Sequence, residues 1–433
     1  MGETLPIREW KINKEPGPAI IIGGPMSTPP PADPAADERV PFVLELASAL
    51  HEAGHATHRL EEGLDATAGR LGIQGQYFVT PTSIFASFGA GTAQQTFMIR
   101  TAPKPPDLGR LARVTAIAQA VVRGAMSLAE GRARLARVAD RPPPPALGLV
   151  VANGLAAAAA ARFLGGGLPE VGMAILAGVA TGLLAVASRR LPNVARVYEL
   201  AAAFFCGFAM AAAGATIGGF SVSLATLAGL IVLIPGLTLT TAIAELATSH
   251  LTAGTTRMAG AFMTFIAIGF GVALGARVAT MVAGAAPIVS PDPLPAIANW
   301  PALGASAVAF TILLRADWSD FGWILAAGIL AFVATRAGSL LLGPELGVFV
   351  GALAVGLGSN LFNRRTERPA AITLVPGLLT LVPGSVGFRS ISALLDSQVV
   401  AGIDTAFSMV FTAVSLVAGL LTAAAIYPER PLA

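Results

Sequence analysis

Three of the four histidines of this chain fall within eight residues, and two of them flank a glutamate in the pattern His51-Glu52-Ala53-Gly54-His55. On one helix, histidines four residues apart share a face and can hold zinc, with the glutamate as general base. This reading would make the chain a membrane-tethered zinc metalloprotease. A zinc hydrolase also needs a third protein ligand; His58 lies on the same helix, and the next histidine is His250. We therefore expect a non-enzyme with no cofactor and no metal, and keep His51 and His55 as the alternative metal candidates.

A second chemical signal is the Pro-Gly sequence that occurs at matching positions of two long apolar segments, residues 235–236 and 383–384. Proline removes a helix hydrogen bond and glycine relaxes the backbone. In lipid, the freed carbonyls must face protein or a water-filled cavity. Polar residues follow both breaks, and the predicted substrate-binding residues are Pro235, Gly236, Thr238, Thr240, Thr241, Glu245, Pro383, Gly384, Ser385 and Arg389. The alternative is two kinked structural helices whose hydroxyls bond back to the carbonyl four residues earlier.

Two glutamates inside the apolar region are candidates for ion coupling. An ionisable side chain in a span costs about 2.5–3.5 kcal/mol on insertion scales. Glu199 and Glu345 fall at equivalent places in the two halves of the membrane region. A carboxylate shielded from water can exchange a proton near neutral pH. The two glutamates are therefore either a proton-linked site or structural partners of an arginine.

The elements that must position these residues are membrane helices. The 433 residues are 54% hydrophobic and 12% charged, which is about half the 25% charge of globular chains. A helix needs about 20 apolar residues to cross a bilayer. Residues 146–427 provide ten such segments, which we place at 146–163, 168–187, 199–217, 221–249, 255–285, 300–315, 320–336, 345–362, 370–395 and 401–427.

The membrane region contains an internal repeat. Leu233-Ile234-Pro235-Gly236 matches Leu381-Val382-Pro383-Gly384 at a shift of 148 residues. We divide the region into repeat 1 (146–286) and repeat 2 (300–427), each with five spans. Because five is odd, the second repeat enters the membrane upside down, which predicts the inverted repeat of many secondary transporters.

The front of the chain predicts a small α+β domain. Residues 1–38, rich in Pro, Ala and Gly, predict a disordered tail, and residues 39–145 a domain that ends in a basic linker. Within it we expect helical structure over 40–71 with Gly72 as its cap, strands at 76–88 and 94–101 joined through residues 89–91, and helices capped by Asp107 and Ser127. Arginine-rich loops place this domain in the cytoplasm and the chain in the inner or plasma membrane. No basic patch interleaved with aromatic residues points to nucleic acid.

Two stretches of the front domain carry a family resemblance. Gly54-His55-Ala56-Thr57-His58-Arg59-Leu60-Glu61-Glu62 and Phe78-Val79-Thr80-Pro81-Thr82-Ser83-Ile84-Phe85-Ala86-Ser87-Phe88-Gly89 resemble the N-terminal region of the threonine/serine exporter family. The two broken spans also resemble the membrane halves of that family. The resemblance implies ten spans, a cytoplasmic domain and export of small amino acids driven by the membrane potential or proton gradient. It also implies a gating role for the domain, with His58, Arg59 and Glu61 as candidates. Glu52 and His55 depart from the family pattern.

The sequence thus predicts a mostly α-helical membrane protein of about ten spans in two inverted five-helix repeats, with a small α+β cytoplasmic domain. Its predicted function is export of threonine or serine by alternating access, coupled to the proton motive force. Succinate-like dicarboxylate export, the zinc protease and a passive channel or structural membrane partner remain alternatives. The expected partners are an amino-acid substrate and the lipid bilayer. Helix faces rich in Gly and Ala leave a homo-oligomer open.

Overall fold

A computed structural model of the chain describes residues 37–89, 94–139, 142–381, 384–395 and 399–430. The predicted tail lies outside the described residues except for residues 37 and 38, and so do Pro383 and most of the 89–91 joint. The N-terminal domain consists of α1 (Arg39–Glu52), α2 (Thr57–Arg70), β1 (Gly75–Thr80), β2 (Ser83–Phe88), β3 (Gln95–Arg100), α3 (Leu108–Val122) and α4 (Leu128–Ala139).

The helical stretch predicted over 40–71 is two helices rather than one. The chain turns at Gly54, which has a φ of +77°, a backbone conformation that favours glycine. A Cβ on Gly54 would lie 2.8 Å from Cα of Pro106, so no larger residue fits. The predicted cap is confirmed, because Gly72 follows α2 with a φ of +73°.

The sheet is a three-stranded antiparallel meander in the order β1-β2-β3. The predicted strand 76–88 is wrong as a single strand, because it turns at Pro81-Thr82 and forms both β1 and β2. The inner face of the sheet packs Ile84 and Phe88 against α1 in one buried core. The predicted caps are confirmed, since Asp107 accepts a hydrogen bond from the backbone N–H of Arg110 and Ser127 accepts one from that of Glu130.

The membrane bundle follows as two sets of helices in the same order. The first set is α5 (Ala146–Phe163), α6 (Leu168–Arg190), the short α7 (Pro192–Ala195), α8 (Tyr198–Thr216), α9 (Val222–Gly229), α10 (Gly236–Ala247) and α11 (Leu251–Ala283). The second set is α12 (Asn299–Leu313), α13 (Phe321–Leu342), α14 (Pro344–Thr366), α15 (Ala371–Leu379), α16 (Gly384–Leu395) and α17 (Val399–Ile426).

Eight helices among the described residues are long and apolar enough to cross a membrane. They correspond to eight of the ten predicted spans. The predicted fourth and ninth spans are each broken into two shorter helices, α9 with α10 and α15 with α16. Each second piece begins at the predicted glycine, Gly236 or Gly384.

The two sets of helices pack in matching ways. In the first, α8 packs on α11, and a Cβ on Gly271 would lie 2.8 Å from Cβ of Ala203. In the second, α14 packs on α17, and a Cβ on Gly419 would lie 2.9 Å from Cβ of Ala352. Small residues let these helices approach closely. Between the sets, α5 contacts α12, α10 contacts α17, and α11 contacts α16.

The two helix breaks meet each other. A Cβ on Gly384 would lie 3.4 Å from Cα of Gly236 and 2.7 Å from the Ile234 side chain. The starts of α10 and α16 are therefore in direct contact at a point where only glycine fits.

In each set, a buried carboxylate at the start of the second helix contacts the segment just before the broken span. Glu170, in the first turn of α6, accepts hydrogen bonds from the backbone N–H groups of Gly167 and Ser221, both at 2.8 Å. Asp320, just before α13, pairs with Arg368, just before α15. Both carboxylates are buried, and these charge-assisted bonds satisfy them without water.

Candidate functional site

The N-terminal domain is docked on one end of the bundle. The backbone N–H groups of Leu108 and Gly109 donate to the carbonyls of Leu314 and Arg315, at 2.9 and 3.2 Å. The Arg315 side chain returns to Asp107 at 3.0 Å. The first turn of α3 is thus fixed to the loop between α12 and α13, one of the loops predicted to be cytoplasmic.

A second attachment comes from Glu245 of α10, a fully buried side chain. Its carboxylate accepts the backbone N–H of Thr57 at 3.1 Å and Nε of Arg257 at 3.0 and 3.1 Å. The residue before α2 is Ala56, which makes no side-chain cap. The bundle therefore supplies the acceptor and the negative charge that the start of α2 lacks.

A third attachment joins Glu61 of α2 to the turn before α11. Glu61 accepts the backbone N–H of Val79 at 2.7 Å and lies 3.2 Å from Nε2 of His250. The ring of His250 also lies 5.9 Å from that of His58, centroid to centroid. Glu61 therefore ties α2 both to its own sheet and to the bundle.

A cavity of about 680 Å³ lies between the N-terminal domain and the bundle. Its walls come from the domain, at the turn before α2, the turn between β1 and β2, residues 103–106 and the start of α3, and from the bundle, at α10, α11, α14, α15, α17 and the segment after α17. The polar and charged lining residues include His55, His58, Arg59, Lys104, Thr238, Thr240, Thr241, Thr248, Thr256, Arg257, Asn360 and Glu429. The size falls within the range of about 300–1,000 Å³ that is common for small-molecule sites.

The cations on the cavity wall have carboxylate partners. Arg257 pairs with Glu245, as described above. Lys104 pairs with Glu52 at 3.1 Å, and Arg59 pairs with Glu429 at 3.3 Å. The cavity therefore presents charges of both signs together with threonine hydroxyls.

The two histidines on the wall are neutral at physiological pH. Burial, aided by the charge of Arg59, lowers the pKa of His55 to about 4. The same two causes, in the same order, lower the pKa of His58 to about 3. Nδ1 of His58 is buried and makes no hydrogen bond within the described part of the chain. The imidazoles can thus act as neutral hydrogen-bonding groups but not as cations.

The predicted residues divide into those that line the cavity and those that do not. Thr238, Thr240, Thr241, His58 and Arg59 all line it. The hydroxyl of Thr240 donates to the carbonyl of Gly236 at 3.1 Å, as the structural alternative for these hydroxyls expects.

Several predicted residues lie outside the cavity. Pro235 and Gly236 stand at the break behind it, Glu245 and Glu61 join the domain to the bundle, and Arg389 is exposed. Gly384 faces Gly236, and Ser385 follows it in α16. Glu199 and Glu345 stand in the first turns of α8 and α14, which begin at opposite ends of the bundle, so a single site cannot contain both.

The geometry of the His51–His55 pattern does not support a zinc site. The two residues do not share a helix, because α1 ends at Glu52 and the chain turns at Gly54. Nε2 of His51 donates to the carbonyl of Thr80 at 3.1 Å. Glu52, the supposed general base, pairs with Arg110 at 2.7 Å. Within the described residues, no group of three His, Cys, Asp or Glu side chains could hold a metal ion.

Three charged residues of the wall, Lys104, Arg257 and Glu429, are not among the residues predicted from the sequence. Arg257 is one of the loop arginines that favour a cytoplasmic N-terminal domain, and nothing in its surroundings in the sequence indicates a site. Glu429 follows the last span without any motif. Only the fold brings these residues together, and neither spacing nor periodicity carries a signal for that.

Two family models match the chain. One described as "Putative threonine/serine exporter" matches residues 41–279, and one described as "Threonine/Serine exporter, ThrE" matches residues 303–426. The first match covers the N-terminal domain and the first set of membrane helices, and the second covers most of the other set. No solved structure matches the chain.

Curated relatives from yeasts and a bacterium are also similar. "Pheromone-regulated membrane protein 10" of Zygosaccharomyces rouxii is 26% identical over 82% of this chain and 37% of its own length. The protein of the same name in Candida albicans is 26% identical over 85% of this chain and 34% of its own. The chain thus spans about a third of these relatives. "Probable threonine/serine exporter" of Mycobacterium tuberculosis is 25% identical over 73% of this chain and 62% of its own length. With both membrane halves and the N-terminal domain matched by its models, the chain belongs to the threonine/serine exporter family.

Proposed function

We propose that this chain is a secondary transporter that exports threonine, serine or a similar small hydroxy amino acid. The observation that carries the proposal is the cavity at the junction of the domain and both sets of helices, with threonines of the broken helix α10 on its wall. Thr238 is exposed to the cavity, and Thr241 is partly exposed. A hydroxyl on the substrate finds hydrogen-bonding partners there.

The charges on the wall also suit an amino acid. A zwitterion needs a cation for its carboxylate and an anion or carbonyl for its ammonium group. The cavity provides Arg59 and Glu429 as an adjacent pair of opposite charges. A dicarboxylate such as succinate would meet the carboxylate of Glu429 as a like charge, so the observations favour the amino acid.

Transport would proceed by alternating access of two inverted halves. Three observations support this mechanism: the contact of Gly384 with Gly236, the reciprocal contacts of α10 with α17 and of α11 with α16, and the paired roles of Glu170 and Asp320. Two-fold pseudosymmetry in the membrane plane would relate each member of these pairs to the other. Broken helices at such an interface are the usual place of a transporter's binding site.

The N-terminal domain would lie in the cytoplasm and the bundle in the inner or plasma membrane. The domain packs on loops that the arginine distribution assigns to the inside. The cavity would then be the cytoplasmic entrance, and the domain would cover it as a gate. Coupling to the proton motive force would drive efflux, with Glu199 and Glu345 as the predicted coupling residues.

The test is flux in proteoliposomes loaded with labelled threonine, under an imposed pH gradient and membrane potential. We expect efflux that unlabelled serine competes with and that an uncoupler abolishes. Labelled succinate in parallel tests the dicarboxylate alternative. Flux insensitive to the uncoupler would indicate a passive channel, and the absence of threonine and serine flux from folded, reconstituted protein would refute the proposal.

A residue-level test uses Thr241→Val, which removes a hydroxyl from the wall at nearly constant volume. We expect a higher KM for threonine and a smaller change for alanine, which lacks the hydroxyl. The matched control is Thr264→Val on α11, where the hydroxyl donates to the carbonyl of Gly260 at 3.1 Å and the residue does not line the cavity. Equal effects of the two substitutions would contradict the placement of the substrate hydroxyl.

A further inference from the structure

One ion pair differs from the others on the cavity wall. Arg59 and Glu429 both line the cavity, at 3.3 Å from each other. The carboxylate partners of Arg257 and Lys104 are Glu245 and Glu52, and neither of these lines it. Among the charged groups described on the wall, Arg59 and Glu429 thus form the pair that a bound molecule could enter from the cavity.

The two partners come from separate parts of the fold. Arg59 stands in the first turn of α2, in the N-terminal domain, and Glu429 follows α17, the last helix of the bundle. Their side chains are 30% and 21% exposed. Each has a second, longer contact: Arg59 lies 3.6 Å from Glu62, and Glu429 accepts the backbone N–H of Ala370 at 3.4 Å. The contact between Arg59 and Glu429 is therefore the shortest that either charge makes across the junction.

Opening a partly buried ion pair is unfavourable unless each charge finds a new partner. A zwitterion provides both, because its carboxylate can bind Arg59 while its ammonium group binds Glu429. A guanidinium also offers two parallel N–H donors that match a carboxylate. A dicarboxylate or an amine would replace the charged partner of only one of the two side chains, and a neutral alcohol would replace neither. Burial raises the pKa of Glu429 above its ordinary range, and the charge of Arg59 opposes that rise.

We propose that the Arg59–Glu429 ion pair binds the α-ammonium and α-carboxylate groups of the substrate, and so selects α-amino acids. This inference rests on the proposed function and adds the recognition of the amino-acid backbone to it. Substrate would then bridge the N-terminal domain and the bundle where the two side chains now touch directly. The domain would be part of the binding site and not only its cover.

The experiment measures equilibrium binding to the full-length protein in detergent. The ligands are threonine, 1-amino-2-propanol, which lacks the carboxylate, and 3-hydroxybutyrate, which lacks the ammonium group. For the unaltered protein we expect threonine to bind at least tenfold more tightly than either analogue. In Arg59→Gln the preference for threonine over 1-amino-2-propanol should fall to within about threefold, and in Glu429→Gln the preference over 3-hydroxybutyrate should fall likewise.

The control is Arg123→Gln. Arg123 forms another ion pair between the domain and the bundle, with Glu367 at 2.9 Å, but it does not line the cavity. It should leave both preferences unchanged. Preferences unaltered in Arg59→Gln and Glu429→Gln would overturn the inference.

A charge exchange separates substrate binding from simple attachment of the domain. The double variant R59E/E429R keeps an ion pair between the same two elements but reverses its direction. If the pair only attaches the domain, the exchange should restore threonine binding that the single variants lose. If it binds substrate, threonine affinity should stay at least tenfold reduced even when the melting temperature recovers. Failure of the proposed function is a different result, because the unaltered protein would then transport neither threonine nor serine.

Discussion

The substitution Glu245→Gln tests whether the bundle holds the N-terminal domain through the start of α2. The Glu245 carboxylate accepts hydrogen bonds from two partners, the backbone N–H of Thr57 and Nε of Arg257. The three N···O distances are 3.0–3.1 Å. A hydrogen bond to a charged group contributes about 1.5–3 kcal/mol. A glutamine keeps one acceptor oxygen, but its amide N–H group would face the guanidinium of Arg257. We therefore expect the attachment to lose the equivalent of one charged hydrogen bond.

That loss corresponds to an opening equilibrium raised about 10- to 150-fold, since each 1.36 kcal/mol is a factor of ten. Hydrogen–deuterium exchange reports this opening directly at the amide of Thr57, which is itself the donor. The expected result is exchange in the first turn of α2 that is faster by the same factor. The remote end of α6 should be unaffected.

Two further variants make the test specific. Glu62 also lies on α2, is 67% exposed and pairs with Arg59 only at 3.6 Å. The variant Glu62→Gln should therefore change hydrogen–deuterium exchange in the first turn of α2 by less than about threefold. In the double variant of Glu245→Gln with Arg257→Gln, the effect should be smaller than the sum of the single effects, because the two residues share one interaction. Normal protection of α2 in Glu245→Gln would refute the role of this carboxylate.

Three other substitutions follow from close contacts and burial. Gly384→Ala places a Cβ 2.7 Å from the Ile234 side chain, so we expect a loss of about 1–3 kcal/mol, seen as a lower melting temperature. Gly54→Ala combines a φ of +77° with a Cβ 2.8 Å from Pro106, and limited proteolysis should show the N-terminal domain cleaved faster. Because His58 has a pKa of about 3 when folded and 6.5 ordinarily, its contribution to stability is complete above pH 6.5 and is lost as the pH falls toward 3. His58→Gln should therefore make the free energy of unfolding fall less steeply between pH 7 and 5, by up to about 1.4 kcal/mol per pH unit, as measured by denaturant unfolding at each pH.

The membrane helices could be predicted closely because their limits are local. The first predicted span, 146–163, has the same limits as α5, since Pro145 precedes it and Gly165 ends it with a φ of +88°. The Pro-Gly sequences at 235–236 and 383–384 likewise predicted where the second pieces of the fourth and ninth spans begin, at Gly236 and Gly384, whereas Pro376-Gly377 lies inside α15. Hydrophobic length and helix-breaking residues are properties of a short stretch of chain, so the sequence alone contains them.

The contacts that build the cavity could not be predicted, because they join distant parts of the chain. Thr57 and Glu245 are 188 residues apart, and no periodicity relates them. The pattern His51-Glu52-Ala53-Gly54-His55 shows in addition that a local motif can predict a site that long-range contacts do not allow. Its five residues suggest one helix, but α1 ends at Glu52 and Gly54 lies against Pro106, a contact that the pattern does not contain.

The N-terminal domain is attached to one end of the bundle, whereas the two sets of helices are proposed to be related by an inverted symmetry. At the end away from the domain, Glu170 joins α6 to the start of α9, and at the domain end Asp320 joins α13 to Arg368 in a corresponding way. In the proposed exchange between inward-open and outward-open states, the contacts of Glu170 and Asp320 would stabilise the two states to a similar extent.

The contacts of Glu245 and Glu429 with the N-terminal domain exist at one end alone. Under alternating access, a contact present in one state and broken in the other shifts their populations by its full free energy. A single charged hydrogen bond, at about 1.5–3 kcal/mol, would change the ratio of the two states roughly 10- to 150-fold. In the proposed mechanism, the balance between the two states would therefore be set chiefly by the junction of domain and bundle, where the substrate is proposed to bind.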